Sequence, residues 1–280
     1  MILPPPDPSF EWRQTPFGPA LVCKPLETVA AHVWTTRFWR LGQAGIVDNP
    51  GWIDVAAALE LDGSALVRLH QVHGRTVVVA DQDDRRESHS RPNGDILLGS
   101  DSGTAIAVQV ADCVPLLIAD RRLGVVAAAH AGWRGLALGV PVATVQAMVD
   151  TYGSEPRDLV AAIGPAVGAC CYEVGPEVRQ AFVEGGFPGE AIGRWFLPAP
   201  APITGNPPMP GLPETRRPGH WYFDGWGAAR AQLLAAGLAR SEVFSARLCT
   251  ASHPAVFPSY RRDGHQSGRS AAAIRPLRRR

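Results

Sequence analysis

Four short apolar runs in the middle of the chain, residues 104–110, 114–119, 123–129 and 159–163, limit its fold more than any other feature. Each is bounded by polar or turn-forming residues, and each is nearly continuous rather than alternating, the pattern of strands buried in a sheet. Helical spacing takes over from about Leu136 to Val149 and ends near Gly153, with Pro141 in the first turn or at a kink. Residues 176–184 and 225–237 have the same spacing; Asp224 is the expected N-cap of the second and Gly237 its stop. Val243–Cys249 returns to strand. Strands and helices interleave without a regular βαβ rhythm, so the expected class is α/β (α+β) with mixed sheets.

Around this centre the chain is less regular. Residues 1–22 are proline-rich and expected as loop, with an edge strand at most. Residues 64–80 read as two extended segments meeting at Gly74, and 81–95, charged and polar, as an exposed loop. Residues 198–220 are dense in proline and glycine and predict a long irregular loop of the kind that serves as a lid or binding loop. No repeat and no dividing linker is evident. Lys and Arg number 27 against 26 Asp and Glu, so the balance gives no case for a nucleic-acid partner. The basic run Arg275–Arg280 is read as a solvated end. No apolar run is long enough to span a bilayer, and the N-terminus has neither the basic nor the apolar region of a signal peptide. Five cysteines, an odd number, point to a reducing compartment. A soluble, cytoplasmic protein without membrane partners is the expectation.

Three stretches place a metal-type ligand at the end of an expected strand: Leu69–Gly74 with His73, Ala111–Pro115 with Cys113, and Ala129–Gly135 with His130. Two imidazoles and a thiolate suit Zn²⁺, and three protein ligands leave a fourth position open, as in catalytic zinc sites. Water in that position ionises near neutral pH. Each residue also has an ordinary role open to it: Cys113 as core, His73 as a turn residue, His130 as a satisfied core imidazole. The spacings of 40 and 17 residues match no zinc-finger pattern. His70 competes with His73, since residues three apart on a strand face opposite ways. Gly74 favours His73 by allowing close backbone approach.

Other residues suggest supporting roles. Asp112 is a candidate to orient a ligating histidine. Arg134, at the expected start of a helix, is a candidate anion holder or a surface ion pair. Ile163–Gly175 reads as a glycine-rich loop lining a cleft, with Cys170 or Cys171 facing it and Glu173 as a general acid/base or a helix cap. Ser259–Gly264, containing Arg261, with Ser267–Arg269 forms a basic, turn-rich segment suited to an anionic group.

Taken together, QVHG (71–74), ADCVPLLIAD (111–120), AAHAGWRG (128–135), IGPAVGACCYEVG (163–175) and SYRRDG with SGR (259–264, 267–269) resemble the laccase-domain family. Its members are called variously polyphenol oxidases, purine nucleoside phosphorylases and peptidoglycan editing factors. The resemblance implies one such domain over 1–280, with 1–22 as an N-terminal extension. It implies a mixed-sheet sandwich flanked by helices, related to the cytotoxic necrotizing factor-like deamidases. It makes His73, Cys113 and His130 the metal-binding and catalytic residues, with zinc as the ion and copper as the alternative. The implied substrates are small molecules: phosphate and purine nucleosides, cleaved at C1′ by phosphorolysis (methylthioadenosine among them), with adenosine also deaminated at C6. Contacts to substrate and phosphate are expected from Arg134, Cys171, Glu173 and Arg261, with Arg37 or Arg40 as a further phosphate ligand.

The chain also departs from the family pattern. Thr35-Thr36-Arg37 leads into Phe38-Trp39-Arg40-Leu41 where a Ser/Gly-rich stretch with Asn-Leu is usual, an Asn-Arg pair upstream of QVHG is missing, and Ala229 stands where an Asn is expected. These changes touch the substrate side and leave the metal side intact. Three other readings stay open. A multicopper oxidase would need further imidazole clusters, and the eight histidines form no His-X-His pair. A metal-free Cys–His hydrolase would use Cys113 as nucleophile. An editing role would place a cell-wall precursor in the cleft.

Overall fold

A computed structural model describes residues 2–42, 49–80, 91–201, 203–209, 211–212 and 216–277. Two six-stranded sheets stack face to face. The first runs β1 (Phe10–Thr15), β2 (Gly18–Cys23), β3 (Ala30–Thr35), β15 (Ser270–Pro276), β7 (Ala105–Val110), β4 (Leu66–Arg68). It is antiparallel except for the β4–β7 edge. The second runs β14 (Val243–Ser245), β10 (Leu159–Ile163), β8 (Val114–Asp120), β9 (Val126–Ala131), β6 (Ile96–Gly99), β5 (Val77–Ala80). Its centre is antiparallel and both its edges are parallel. A small third sheet joins β11 (Glu173–Val174), β13 (Trp221–Phe223) and β12 (Phe196–Leu197).

The central runs are continuously apolar because each side of the strand meets a different layer. On β8, Val114, Leu116 and Ile118 pack under helices, while Leu117 and Ala119 face the other sheet. β9 and β10 divide the same way: Ala127, Ala129, Leu159 and Ala161 point to the helices, and Val126, Ala128, Val160 and Ala162 to the sandwich interior. That is the two-residue period of a strand with both faces buried. The helices Val140–Tyr152, Pro176–Glu184 and Gly225–Ala235 cover the second sheet. Gly51–Ala58 covers the first, closing a smaller cluster with Ala105, Ala107, Ala271 and Ala273. At about 25 cal/mol per Å² of apolar area both layers contribute, and the one between the second sheet and its helices is the larger.

Local signals explain the boundaries. The expected helix from Leu136 is two helices, Trp133–Ala137 and Val140–Tyr152, because Gly139 turns left-handed at φ 79° between them. Pro141 sits in the first turn of the second, where its missing N–H costs nothing. Asp224 caps Gly225–Ala235 by accepting the N–H of Gly227 at 2.9 Å. Residues 1–22 carry more structure than their prolines suggest. β1 and most of β2 come from this segment, and the pair extends the first sheet. Residues 64–80 hold the two expected extended segments, β4 and β5, which belong to different sheets, and the crossing between them contains His73 and Gly74. Of the expected loop 81–95, residues 81–90 lie outside the described residues, while Asp95 is fully buried. Among the described residues no helix is long and apolar enough to cross a membrane.

Candidate metal centre

His130 lies near the end of β9, paired with Pro115 of β8, and follows Val126 and Ala128 onto the inter-sheet face. Cys113 immediately precedes β8. His73 stands in the crossing from β4 to β5, held at φ 60°, a left-handed conformation uncommon outside glycine. The three donor atoms all lie within 4.8 Å of one another. His73 Nε2 is 3.9 Å from Cys113 Sγ, and the two imidazoles meet edge to face at 4.8 Å between centroids.

Asp95 organises two of the three. Its carboxylate accepts the backbone N–H groups of Val72, His73 and Gly74 at 3.3, 3.0 and 2.7 Å, fixing the strained turn. It also accepts Nδ1–H of His130 at 2.8 Å, which leaves Nε2 of that ring for the trio. Burial alone would raise the Asp95 carboxyl, but the His130 hydrogen bond and charge, with the backbone donors, bring it below its usual range. Asp112 was the sequence's candidate for this role, and the structure assigns it elsewhere. At φ 84°, it accepts from Thr250 Oγ1, Ser259 Oγ and the N–H of Arg261, tying the 250–261 segment to the Cys113 turn. Asp95 escaped notice because it closes a charged stretch that looks solvent-exposed.

The electrostatics favour a thiolate. Burial would raise the Cys113 thiol, but the charge and hydrogen bond of His130, with those of His73, outweigh it and bring it down to about 6. Burial would lower His130, and the thiolate with the Asp95 hydrogen bond raises it to about 9. Gly132 completes the cradle. A Cβ there would stand 2.9 Å from Cys113 Sγ and 3.1 Å from His73 Cδ2, so only glycine leaves the trio its space. Two imidazoles and one thiolate at this spacing, closed on one side and open on the other, fit an ion such as Zn²⁺.

The open side is a cleft of about 670 Å³, within the size range of small-molecule sites. Arg134, Arg261 and Arg269 line it together with Tyr172 and Tyr260. Arg261 is fixed over the Tyr172 ring at 5.0 Å and donates to the Glu173 carbonyl at 2.7 Å. Asp112 is the one carboxylate among the described lining residues, and it faces its own hydrogen-bond donors, so the cleft favours anions. Gln71 braces one wall, exchanging two 2.8 Å hydrogen bonds with the backbone of Gln109.

Of the residues singled out from sequence, His73, Cys113, His130, Arg134 and Arg261 come together at this cleft. Cys171, Glu173 and Arg37 do not. Cys171 is fully buried away from it, and the Glu173 side chain accepts from the N–H and Nε of Arg217 at 2.8 and 2.9 Å. Arg37 donates to the carbonyl of Pro254. His70 is exposed and pairs through its backbone with Asn93. No described residue of the 198–220 loop lines the cleft. Arg269, Tyr172, Tyr260 and His265 also line the cleft; three of the sequence motifs, 163–175, 259–264 and 267–269, enclose or adjoin them.

Residues 51–276 match the family model described as multi-copper polyphenol oxidoreductase laccase. The chain belongs to this family. A relative from Deinococcus radiodurans, named purine nucleoside phosphorylase, is 36% identical over 220 residues, 79% of this chain and 74% of that one. The crystal structure of YlmD from Geobacillus stearothermophilus superposes with a TM-score of 0.78 at 28% identity, covering 95% and 99% of the two chains. The Bacillus licheniformis hypothetical protein YfiH gives 0.81 at 24% identity over the same shares, a likeness of fold alone.

Proposed function

We propose that this cleft phosphorolyses purine nucleosides, with a zinc ion held by His73, Cys113 and His130, and that adenosine deamination and methylthioadenosine cleavage occur at the same site. The observation that carries this reading is the meeting of a three-ligand metal cradle with three arginines in one nucleoside-sized cleft. The relatives named purine nucleoside phosphorylase support it. In phosphorolysis a phosphate oxygen attacks C1′, the C1′–N9 bond breaks, and its electron pair leaves with the purine, which takes up a proton.

Arg134, Arg261 and Arg269 would hold the phosphate and offset its charge during attack. Tyr172 and Tyr260 offer flat walls for a purine ring. When bound, zinc supplies a Lewis acid able to activate water at neutral pH, the chemistry that deamination at C6 requires. Asp95 keeps the His130 ring turned to the ion, and Asp112 holds Arg261 beside it.

The test is incubation of metal-quantified protein with adenosine and inosine, with and without phosphate, against Cys113→Ala. Free base and ribose 1-phosphate that depend on phosphate and on Cys113 are expected. Absence of both products above the variant would sink the reading. The ion pair of Cys113 and His130 favours a second reading, a metal-free thiolate nucleophile. Stoichiometric zinc that disappears in His73→Ala would remove it. Oxidation of polyphenols, which the family description names, would have to appear on copper loading alone.

A further inference from the structure

A second cluster of ligand-type side chains lies outside the cleft. Cys170, Cys171 and Cys249 are fully buried, and their Sγ atoms all lie within 4.8 Å of one another. None lines the cleft. Three segments meet here: the turn after β10, the turn at 249–252, and residues 203–209, which fold over the sulfurs. The N–H of Met209 donates to Cys171 Sγ at 3.2 Å, and that of Gly168 donates to Cys249 Sγ at 3.3 Å. Ser252 donates its hydroxyl to the Pro207 carbonyl at 2.6 Å, turning its lone pairs toward Cys170 and Cys171 at 3.6 and 3.4 Å. Backbone donors aimed at sulfur stabilise thiolate rather than thiol.

We propose that Cys170, Cys171 and Cys249 form a second metal site, separate from the cleft, that takes one soft d¹⁰ ion, Cu(I) or Zn(II). Adjacent cysteines on a strand would point apart. Here they lie in a tight turn, with the N–H groups of Cys171 and Tyr172 both donating to the Gly168 carbonyl at 2.9 and 3.0 Å. That turn brings both thiols to one side. Three atoms within 4.8 Å have a common point no more than about 2.8 Å from each, against Zn–S bonds of about 2.3 Å. Small side-chain rotations close the difference. A sulfur-only donor set excludes hard ions such as Mg²⁺ and Ca²⁺. Cu(I) is satisfied by three sulfurs, whereas Zn(II) would add Ser252 Oγ as a fourth ligand.

Because the site is closed, its ion would be structural. It would clamp the turn that presents Tyr172 to the cleft and the turn whose Thr250 holds Asp112.

Full-length Cys113→Ala protein, with its cleft trio broken, isolates the site. The protein is loaded anaerobically with Cu(I) in one arm and Zn(II) in the other, then assayed for metal per chain and by X-ray absorption. One ion per chain in one of the arms is expected, with a sulfur-dominated shell at about 2.3 Å. Adding Cys249→Ser, or Cys171→Ser should the first variant fail to fold, should remove it. Either of two results overturns the proposal: no stoichiometric ion in either arm, or a shell containing imidazole nitrogen. A native disulfide between Cys249 and either neighbour, seen by mass spectrometry, would overturn it equally. None of these readouts depends on turnover of a nucleoside, so the cleft reading can fail while this one stands.

Discussion

The two ligand clusters contain the same number of donors within the same 4.8 Å, and almost everything else about them differs. The cleft trio mixes nitrogen and sulfur, opens onto a space of about 670 Å³, and rests on two residues at positive φ, His73 at 60° and Asp112 at 84°. Such conformations cost about 1–3 kcal/mol each. They persist because Asp95 accepts three N–H groups around His73, and Thr250, Ser259 and Arg261 hold Asp112. The cysteine trio has sulfur alone, no opening, and an ordinary turn beneath it. A set of ligands with an open face suits chemistry on a bound molecule; a closed set fits a clamp. Donor count by itself separates nothing.

The largest expected effect breaks the two apart. Cys113→Ala should abolish phosphorolysis and empty the cleft, because two imidazoles without the thiolate leave an incomplete set of ligands for zinc. The same protein should keep its fold, since Cys113 is only partly buried and lies outside the main core clusters. Product assays with a melting curve decide the matter. Wild-type activity in a stably folded variant would remove the cleft's metal from the reaction.

How much of this the sequence disclosed depends on range. The buried strands were legible because β7, β8, β9 and β10 bury both faces, so their apolar character is local and continuous. The helix limits around Pro141, Gly153 and Asp224 were legible because caps and prolines act within one turn. His73, Cys113 and His130 were visible as ligand types at strand ends, although spacing alone could not join them. Asp95 was not visible, because its role arises where β6, β9 and the His73 crossing converge, and no sequence interval encodes that meeting. The same is true of Cys170, Cys171 and Cys249. Cys170 and Cys171 read only as loop residues beside a cleft, and it is the fold that brings Cys249, on the far side of a long loop, against them.

The next two effects probe how tightly the cleft trio is built. Gly132→Ala keeps an ordinary backbone (φ −65°) yet places a methyl 2.9 Å from Cys113 Sγ. Zinc affinity should fall by about 100-fold, the upper end for changes next to the ligands. Competition with a chromophoric chelator measures it, and unchanged affinity would mean the trio relaxes as freely as a surface site. Asp95→Asn should be milder. It retains an oxygen for the backbone donors but weakens the hold on His130 Nδ1, so affinity should fall by about tenfold. The cysteine cluster should register neither change, and a parallel loss there would mean that the two sites are coupled.

The smallest effect is a slope. In the metal-free protein Cys113 titrates at about 6 and His130 at about 9. Between those values the trio carries a thiolate and an imidazolium, and an ion can bind only by displacing the His130 proton. Affinity should therefore rise by about tenfold per pH unit from 6 to 9, and level off above 9 as the ring is already neutral. Below 6 the thiol proton must also leave, and the dependence should steepen. Zinc titrations across this range, made in Cys249→Ser protein so that the cleft alone reports, should trace the curve. A flat profile between 6 and 9 would show that His130 is neutral before the metal arrives, and that the Asp95 and Cys113 charges do not hold its proton as the geometry implies.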